Sequence, residues 1–244
     1  MGILELNHVS KSFNGRKVLD NISIKVQEGE FVTILGPSGS GKSTLFHLIG
    51  GLSVPDEGSI MLDEKNITGK RGFISYMPQQ TALFPWRSVL ENVLLGQELH
   101  EKKDVEKAAA MIAKAGLSGY EEALPSELSG GMKQRVAFIR ALLSPQSLIC
   151  LDEPFSALDD FTRLEMHQWL LSIWEEFKRT ILFVTHNIDE AMFLSDRIIV
   201  LSSNPAKIIH EVKVPFKRPR ENELLLKDEF LELKKELYQA MGRA

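Results

Sequence analysis

A glycine-rich segment with a single lysine lies in the first quarter of the chain: Gly36-Pro37-Ser38-Gly39-Ser40-Gly41-Lys42-Ser43, followed by Thr44. It matches the pattern G-x-x-x-x-G-K-[ST] and lies between an apolar run and a helical stretch, which is the context that this phosphate-binding loop requires. In that setting backbone N–H groups surround the β- and γ-phosphates of a nucleotide, Lys42 adds positive charge, and the Ser43 hydroxyl ligates Mg²⁺. The alternative is a glycine-rich turn without a ligand, and the flanking strand and helix argue against it.

Two adjacent acids, Asp152 and Glu153, end a second apolar run. Nucleotide hydrolases hold Mg²⁺ with a carboxylate at the C-terminal edge of a buried strand beside the phosphate loop, and Asp152 suits that role. Glu153 points the other way and would polarise an attacking water. A pair of solvated acids is the alternative, but the apolar residues before them favour a buried strand.

Three more side chains are candidates because of the segments next to them in the sequence. His186 follows a third apolar run, expected beside the strand that bears Glu153 and therefore near a γ-phosphate. Gln79 follows a short predicted strand, where its amide would reach the metal or the water. Phe13 precedes an Asn-Gly turn signal, and its ring would stack on a base. A structural histidine, a loop glutamine and a core phenylalanine stay open as alternatives.

A second segment suited to phosphate begins at Ser129. This residue is a favourable N-cap, and Gly130 and Gly131 allow another molecule to approach the backbone. The apolar residues behind it recur at helical spacing and predict a buried helix: Met132, Val136, Ile139 and Leu143. Unpaired N–H groups and the positive end of the helix dipole favour an anion at such a terminus. The chain therefore carries two phosphate-binding termini that are far apart in sequence.

Strands that alternate with helices must position these side chains. The apolar patterns predict strands at 3–6, 18–26, 31–35, 59–62, 72–76, 147–151, 180–184 and 196–201. Helices are predicted at 42–52, behind Ser129 and at 161–177, with a helical region at 88–116. This alternation indicates an α/β fold with a mostly parallel sheet covered on both faces, into which a helical subdomain is inserted.

Composition narrows the class of function. The chain has 244 residues, of which 43% are hydrophobic and 25% charged, as in globular proteins. A net charge of −4 argues against a nucleic-acid partner, and a single cysteine excludes an intrachain disulfide framework and a cysteine-based metal cluster. We find no signal-peptide pattern and no apolar stretch near the roughly 20 residues that span a bilayer. We therefore expect this chain to reach a membrane only by docking on another protein.

Together these residues resemble the nucleotide-binding subunit of an ATP-binding cassette (ABC) transporter. The resemblance covers about residues 4–201 and follows the family's motif order: Phe13 at the A-loop, Gly36 to Thr44 as Walker A, Gln79 as the Q-loop, Leu128 to Met132 as the signature, Leu148 to Glu153 as Walker B, Ser156-Ala157-Leu158-Asp159 as the D-loop and His186 as the switch histidine. Walker A alone occurs in many nucleotide hydrolases, whereas the ordered set is highly specific.

The resemblance implies a P-loop NTPase core with a mostly parallel sheet, an N-terminal antiparallel β subdomain and an inserted α-helical subdomain. It implies a nucleotide-binding domain at 1–215, with the helical subdomain at about 80–145. The segment 216–244 would follow as a basic, proline-rich turn and an amphipathic helix. The stripe predicted for that helix contains Leu226, Phe230, Leu233 and Leu237.

The family mechanism explains the two phosphate-binding termini. Two copies pair head to tail around two ATP molecules, so that Ser129, Gly130 and Gly131 of one copy bind the γ-phosphate of the ATP on the other. Asp159 would couple the two sites across the interface. The resemblance assigns catalysis to Glu153, His186, Gln79 and Lys42. It assigns Mg²⁺ to Ser43, Gln79 and Asp152.

Finer details resemble bacterial importers. The run Phe84-Pro85-Trp86-Arg87-Ser88-Val89-Leu90-Glu91-Asn92-Val93, the signature ending in Met132, and Ser203-Asn204-Pro205-Ala206-Lys207-Ile208 are similar to importers of nitrate, sulfonates, taurine and thiamine precursors. Phe84 and Trp86 would receive a cytoplasmic helix of an integral-membrane permease, with core aromatics as the alternative. An extracytoplasmic solute-binding protein would act indirectly, through the permease. The subunit would be cytoplasmic and peripheral on the inner face of the cell membrane.

Two positions depart from the commonest family residues. Phe13 stands where tyrosine is commoner and Met132 where glutamine is, and neither departure indicates lost activity.

Other functions agree less well with the sequence. A non-transport ABC ATPase usually has two cassettes in one chain or long coiled-coil insertions. A P-loop small-molecule kinase would need an acceptor site and no signature. Exporters more often fuse cassette and membrane segments, and the chain is too short for the added regulatory domain of maltose-type cassettes.

Overall fold

The computed structural model describes residues 2–98 and 103–242, and a six-stranded sheet lies at its centre. In sheet order its strands are β10 (Ile208–Lys213), β9 (Arg197–Leu201), β3 (Phe31–Leu35), β8 (Thr180–Thr185), β7 (Leu148–Asp152) and β6 (Ser75–Met77). Neighbours are parallel except β10, which runs antiparallel to β9. Every residue of β3, β7 and β8 is buried, as their continuous apolar runs predict. The mostly parallel sheet is therefore confirmed.

The N-terminal sheet is a separate antiparallel layer of four strands. Its order is β2 (Arg16–Gln27), β1 (Gly2–Phe13), β4 (Glu57–Leu62) and β5 (Lys65–Asn66). The β1–β2 hairpin turns at Asn14 and Gly15, both at positive φ, as the Asn-Gly signal predicts. Apolar side chains of this layer share one core with helix α1 (Lys42–Ile49) and with one side of β3. The predicted antiparallel β subdomain is confirmed.

Helices cover the other side of the central sheet. They are α2 (Val89–Glu98), α3 (Val105–Lys114), α4 (Gly130–Leu142) and α5 (Asp160–Phe177), and their apolar faces form a second core with β7 and β8. The predicted helical region 88–116 thus contains two helices, and its residues 99–102 lie outside the described residues. Helix α1 ends before the predicted residue 52, because Gly50 forms its C-cap and Gly51 follows with a left-handed φ of +68°.

The C-terminal helix α7 (Asp228–Met241) packs on its own domain. Phe230, Leu233 and Leu237 are buried against α6 (Ile188–Leu194) and the central sheet. Leu226 was wrongly placed in this stripe: it ends a short 3-10 turn before the helix begins, and it is 82% exposed. The boundary between 1–215 and 216–244 stays a prediction. Among the described helices, none is both long enough and apolar enough to cross a bilayer.

Candidate active site

The glycine-rich loop joins β3 to α1, so it lies between a strand and a helix as its pattern requires. Gly39 and Gly41 have φ of +79° and +88°, which other residues rarely adopt. At Gly36 a Cβ would lie 2.9 Å from Ser40 Oγ and 3.2 Å from the carbonyl oxygen of Leu201. Only a residue without a side chain therefore lets the backbone approach these two atoms so closely. The Ser40 hydroxyl is buried and has no hydrogen-bond partner within the described residues. Because buried polar groups are normally paired, this hydroxyl fits a loop that awaits an anion.

Lys42 places a buried ammonium group at this loop. Its Nζ donates to the carbonyl oxygens of Gly36 at 2.9 Å and Pro37 at 2.8 Å. It also lies 3.6 Å from Glu153 Oε1. Burial lowers the pKa of Lys42, and the negative charges of Glu153 and Asp152 oppose that shift. The cation is therefore in place before a phosphate arrives.

Glu153 lies between Lys42 and His186. Its second carboxylate oxygen, Oε2, is 3.1 Å from His186 Nδ1. The Glu153 backbone has a φ of +44°, and its N–H donates to the carbonyl oxygen of Val184 at 2.9 Å. A positive φ is uncommon outside glycine, and such backbone conformations cluster at functional sites. Three residues expected to act in catalysis thus converge from the segments that follow three separate strands, β3, β7 and β8.

Asp152 faces the other side of the same strand end. Its Oδ1 accepts from Ser43 Oγ at 3.4 Å, and its Oδ2 accepts from the Tyr76 hydroxyl at 3.0 Å. Burial raises the pKa of Asp152, and these two hydrogen bonds act against the rise. Carboxylate and hydroxyl oxygens suit Mg²⁺, which usually takes its remaining ligands from water and phosphate. The described residues contain no group of three or more His, Cys, Asp or Glu side chains suited to a metal, so a cation here would need such added ligands.

Gln79 and Phe13 lie at the margins of this site. Gln79 is exposed, and its Nε2 donates to Ser156 Oγ at 3.1 Å, while that hydroxyl donates to the Glu153 carbonyl oxygen at 3.0 Å. Phe13 ends β1 and is 47% exposed, with the Lys11 ammonium 5.4 Å from its ring centroid. This exposure contradicts the alternative of a core phenylalanine.

The Ser129 segment forms the predicted helix N-terminus. Ser129 Oγ accepts from the Met132 N–H at 3.3 Å as the N-cap of α4, and Ser129 and Gly130 are exposed. A Cβ at Gly131 would lie 3.0 Å from Thr162 Cγ2, so α4 begins against the first turn of α5. Among the hydrogen bonds within residues 2–98 and 103–242, none joins this segment to loop 36–44.

Tyr76 is a site residue that the sequence patterns did not single out. It pairs in register with Cys150 of the neighbouring strand, which places its hydroxyl beside Asp152. Its ring packs edge-on against Phe46, with centroids 6.1 Å apart. The only signal in the sequence is an aromatic residue near the end of a predicted strand, and its meaning depends on the order of strands in the sheet.

Known proteins resemble this chain in sequence and in fold. A family model described as ABC transporter matches residues 19–156, more than half of the chain. This chain belongs to the ABC transporter family. It is 43% identical over 245 residues to the aliphatic sulfonates import ATP-binding protein SsuB of Bacillus cereus, covering 97% of this chain and 94% of the relative. It is 46% identical over 217 residues to the formylaminopyrimidine import ATP-binding protein ThiZ of Halalkalibacterium halodurans, covering 87% and 85%.

Solved structures agree with this assignment. A dimeric structure of a post-hydrolysis state of an ATP-binding cassette bound to ADP and Pi has a TM-score of 0.73 and 32% identity, covering 88% of this chain and 100% of that one. An ATP-binding cassette of an ABC transporter has a TM-score of 0.76 and 28% identity, covering 96% and 99%. The fold expected from the motifs and the resemblance to the importer subfamily are confirmed. This ABC cassette is an ATP-binding and ATP-hydrolysing subunit.

Proposed function

We propose that this ABC cassette hydrolyses ATP to energise solute import through a separate integral-membrane permease, on the inner face of the cell membrane. One observation carries the proposal: the Glu153 carboxylate lies 3.6 Å from the Lys42 ammonium and 3.1 Å from His186. A base, a cation and a histidine gathered in this way suit the hydrolysis of a phosphate held by loop 36–44. Relatives named as import proteins for aliphatic sulfonates and formylaminopyrimidine favour import over export.

Glu153 is the proposed general base. It accepts a proton from water while the water oxygen attacks the γ-phosphorus; the bond to the β-phosphate oxygen breaks, and ADP and inorganic phosphate are released. His186 holds one carboxylate oxygen and contacts the γ-phosphate, and Lys42 neutralises the charge that develops there. Gln79, linked through Ser156 to the Glu153 backbone, senses the occupied site.

The remaining residues of the site hold the nucleotide and its cation. Ser43, Gln79 and Asp152 are the proposed Mg²⁺ residues, and the cation would neutralise charge on the β- and γ-phosphates. The ring of Phe13 stacks on the base. The phosphates bind at Gly36, Pro37, Ser38, Gly39, Ser40, Gly41, Lys42, Ser43 and Thr44.

A second copy completes each site in this proposal. Ser129 and Gly130 are exposed at a helix N-terminus, a position suited to a phosphate from another molecule. The similar cassette bound to ADP and Pi is dimeric. We infer that two copies pair head to tail, so that Ser129, Gly130 and Gly131 contact the γ-phosphate held by the partner's loop.

Phe84 and Trp86 form the proposed permease contact. Their rings stack with centroids 5.2 Å apart, and Trp86 is 71% exposed, so it is not a core aromatic. A largely exposed tryptophan stacked on a half-buried phenylalanine suits a helix from a partner protein, because aromatic anchors dominate many interfaces. The solute-binding protein acts through that permease.

The substitution Glu153→Gln tests the function directly. We expect ATP hydrolysis to fall by about 100-fold or more, as for loss of a general base. ATP binding should persist, and light scattering in excess ATP should detect a stable dimer. Glu176→Gln, at an exposed carboxylate on α5, is the matched control and should behave as wild type. Wild-type hydrolysis by Glu153→Gln, or a monomer in excess ATP, would contradict the proposal.

A further inference from the structure

Glu190 is a buried carboxylate that has no role in the hydrolysis mechanism proposed above. It lies in α6 and is only 4% exposed. Its Oε2 accepts from Thr185 Oγ1 at 2.6 Å, and its Oε1 lies 3.5 Å from Arg163 Nε and 3.6 Å from His167 Nε2. A buried charge needs partners of this kind because its desolvation is costly. These partners connect Glu190 to two separate parts of the active site.

The first connection is to the strand end that carries His186. Thr185 is the last residue of β8, and its Oγ1 also accepts from the Asn187 N–H at 3.0 Å. Asn187 in turn caps α6, because its Oδ1 accepts from the Glu190 N–H at 3.2 Å. The residues on both sides of His186 are thus held by one hydrogen-bonded frame, although the histidine itself is exposed.

The second connection is to the loop that follows Glu153. Arg163, in the first turn of α5, donates from Nη2 to the Leu158 carbonyl oxygen at 2.6 Å and from Nε to that of Phe155 at 3.4 Å. Both carbonyls belong to loop 154–159, which leads from Glu153 to Asp159. The planar guanidinium has several donors in a fixed geometry, so this group can hold the loop and face Glu190 together.

Glu190, Thr185 and Arg163 form a cluster that borders the same space as the Glu153 carboxylate. A cavity of about 110 Å³ lies between them, and its lining includes Glu153, Ser156, Arg163, Thr185, His186 and Glu190. The contacts of the cluster lead to the ends of β7 and β8, whereas the nucleotide-binding loop follows β3. A change in the cluster should therefore affect the hydrolytic groups more than the groups that hold the nucleotide.

We propose that Glu190 and Arg163 are positioning residues for ATP hydrolysis, acting as one pair. The pair links the end of β8, which carries His186, to loop 154–159, which begins after Glu153 and ends at Asp159. This inference rests on the proposed function, because it takes Glu153 and His186 as hydrolytic groups. It extends that function with a connection between the histidine and the D-loop within one copy of the chain.

Three variants test the pair: Glu190→Gln, Arg163→Lys and the double variant. Glutamine keeps an acceptor for Thr185 but removes the charge that faces Arg163, and lysine keeps a charge but loses the planar set of donors. We expect each single change to lower kcat about tenfold or more, which is about 1.4 kcal/mol in activation free energy. The KM for ATP and the Kd for a non-hydrolysable ATP analogue should stay within about twofold of wild type. The double variant should lose no more than the worse single one, because coupled residues are non-additive.

Controls separate positioning from a general structural role. Glu176→Gln lies on the same helix as Arg163 and should leave kcat unchanged. Thermal unfolding midpoints accompany each measurement, and if Glu190→Gln does not fold, Arg163→Lys supplies the same test. Unchanged kcat in the single variants, independent losses that multiply in the double variant, or a KM that rises with the loss of kcat would overturn the inference. Failure of the proposed function would instead show as wild-type hydrolysis by Glu153→Gln.

Discussion

His186 Nδ1 lies 3.1 Å from Glu153 Oε2 because the strands that precede the two residues are parallel neighbours. Asp152, the last residue of β7, is in register with Val184 of β8. The segments that follow these two strands therefore leave the sheet at the same edge. The Glu153 N–H donates to the Val184 carbonyl oxygen at 2.9 Å and fixes the turn. The proposed base and the histidine are thus arranged by the sheet itself, and such preorganisation would favour the transition state of the proposed hydrolysis.

Ser129→Arg tests whether the signature segment acts on the nucleotide of another copy. The large cationic side chain should block the phosphate contact at an exposed helix N-terminus, while loop 36–44 of the same chain is untouched. We expect ATP binding by the monomer to stay within about twofold, whereas dimer-dependent hydrolysis is abolished. Loss of the serine N-cap should cost about 1 kcal/mol of stability. Nucleotide titration and phosphate-release assays measure the two effects.

Ser126→Arg is the matched control for that variant, because Ser126 is an exposed serine three residues earlier. It should hydrolyse ATP as wild type does. Normal hydrolysis by Ser129→Arg would remove the signature segment from the mechanism.

Asp152→Asn should stabilise the nucleotide-free chain while it abolishes Mg²⁺-dependent hydrolysis. Burial raises the pKa of Asp152, so the charged carboxylate costs free energy in the folded state above that pKa, and the cost disappears as pH falls through it. At neutral pH we expect the variant to gain on the order of 1 kcal/mol, a rise of about 2–4 °C in the unfolding midpoint. The gain should shrink as the pH falls from neutral towards 3.8, the ordinary pKa of an aspartate.

Calorimetry of both proteins across this pH range, without nucleotide, measures the difference. Asp63→Asn at an exposed aspartate serves as the comparison. A variant that is less stable than wild type at pH 7 would show that the Asp152 carboxylate does not destabilise the nucleotide-free protein.

Trp86→Ala should uncouple the subunit from its permease without changing the subunit's fold or its basal ATP hydrolysis. Because Trp86 is largely exposed, we expect its loss to change stability by no more than about 0.5 kcal/mol. Basal ATP hydrolysis should be unchanged, whereas copurification with the permease and stimulation of hydrolysis by it should be lost. Tyr238→Ala, at an exposed aromatic residue on α7, is the control and should keep both. The reverse pattern would move the docking surface to the C-terminal helix.

Local patterns predicted most of the central fold. Strand β3 was predicted with its observed bounds, and β7 and β8 within one residue, because a run of apolar residues buried on both faces is a signal in itself. Strand β5, of only two residues, was missed, and two longer elements were missed for the opposite reason. Helix α6 has only seven residues, and the exposed edge strand β10 alternates between half-buried and exposed positions, so neither has a strong apolar run.

The sequence by itself determined the phosphate loop, the paired acids, the helix cap at Ser129 and the family, because each depends on neighbouring residues and their order. The tertiary structure decided which distant side chains meet: His186 with Glu153, Tyr76 with Asp152, and Arg163 with Glu190. The first two pairs follow from the order and register of strands in a parallel sheet, and the third follows from the packing of α5 against α6. Long-range backbone pairing sets that order, and a local pattern of residue types does not specify it.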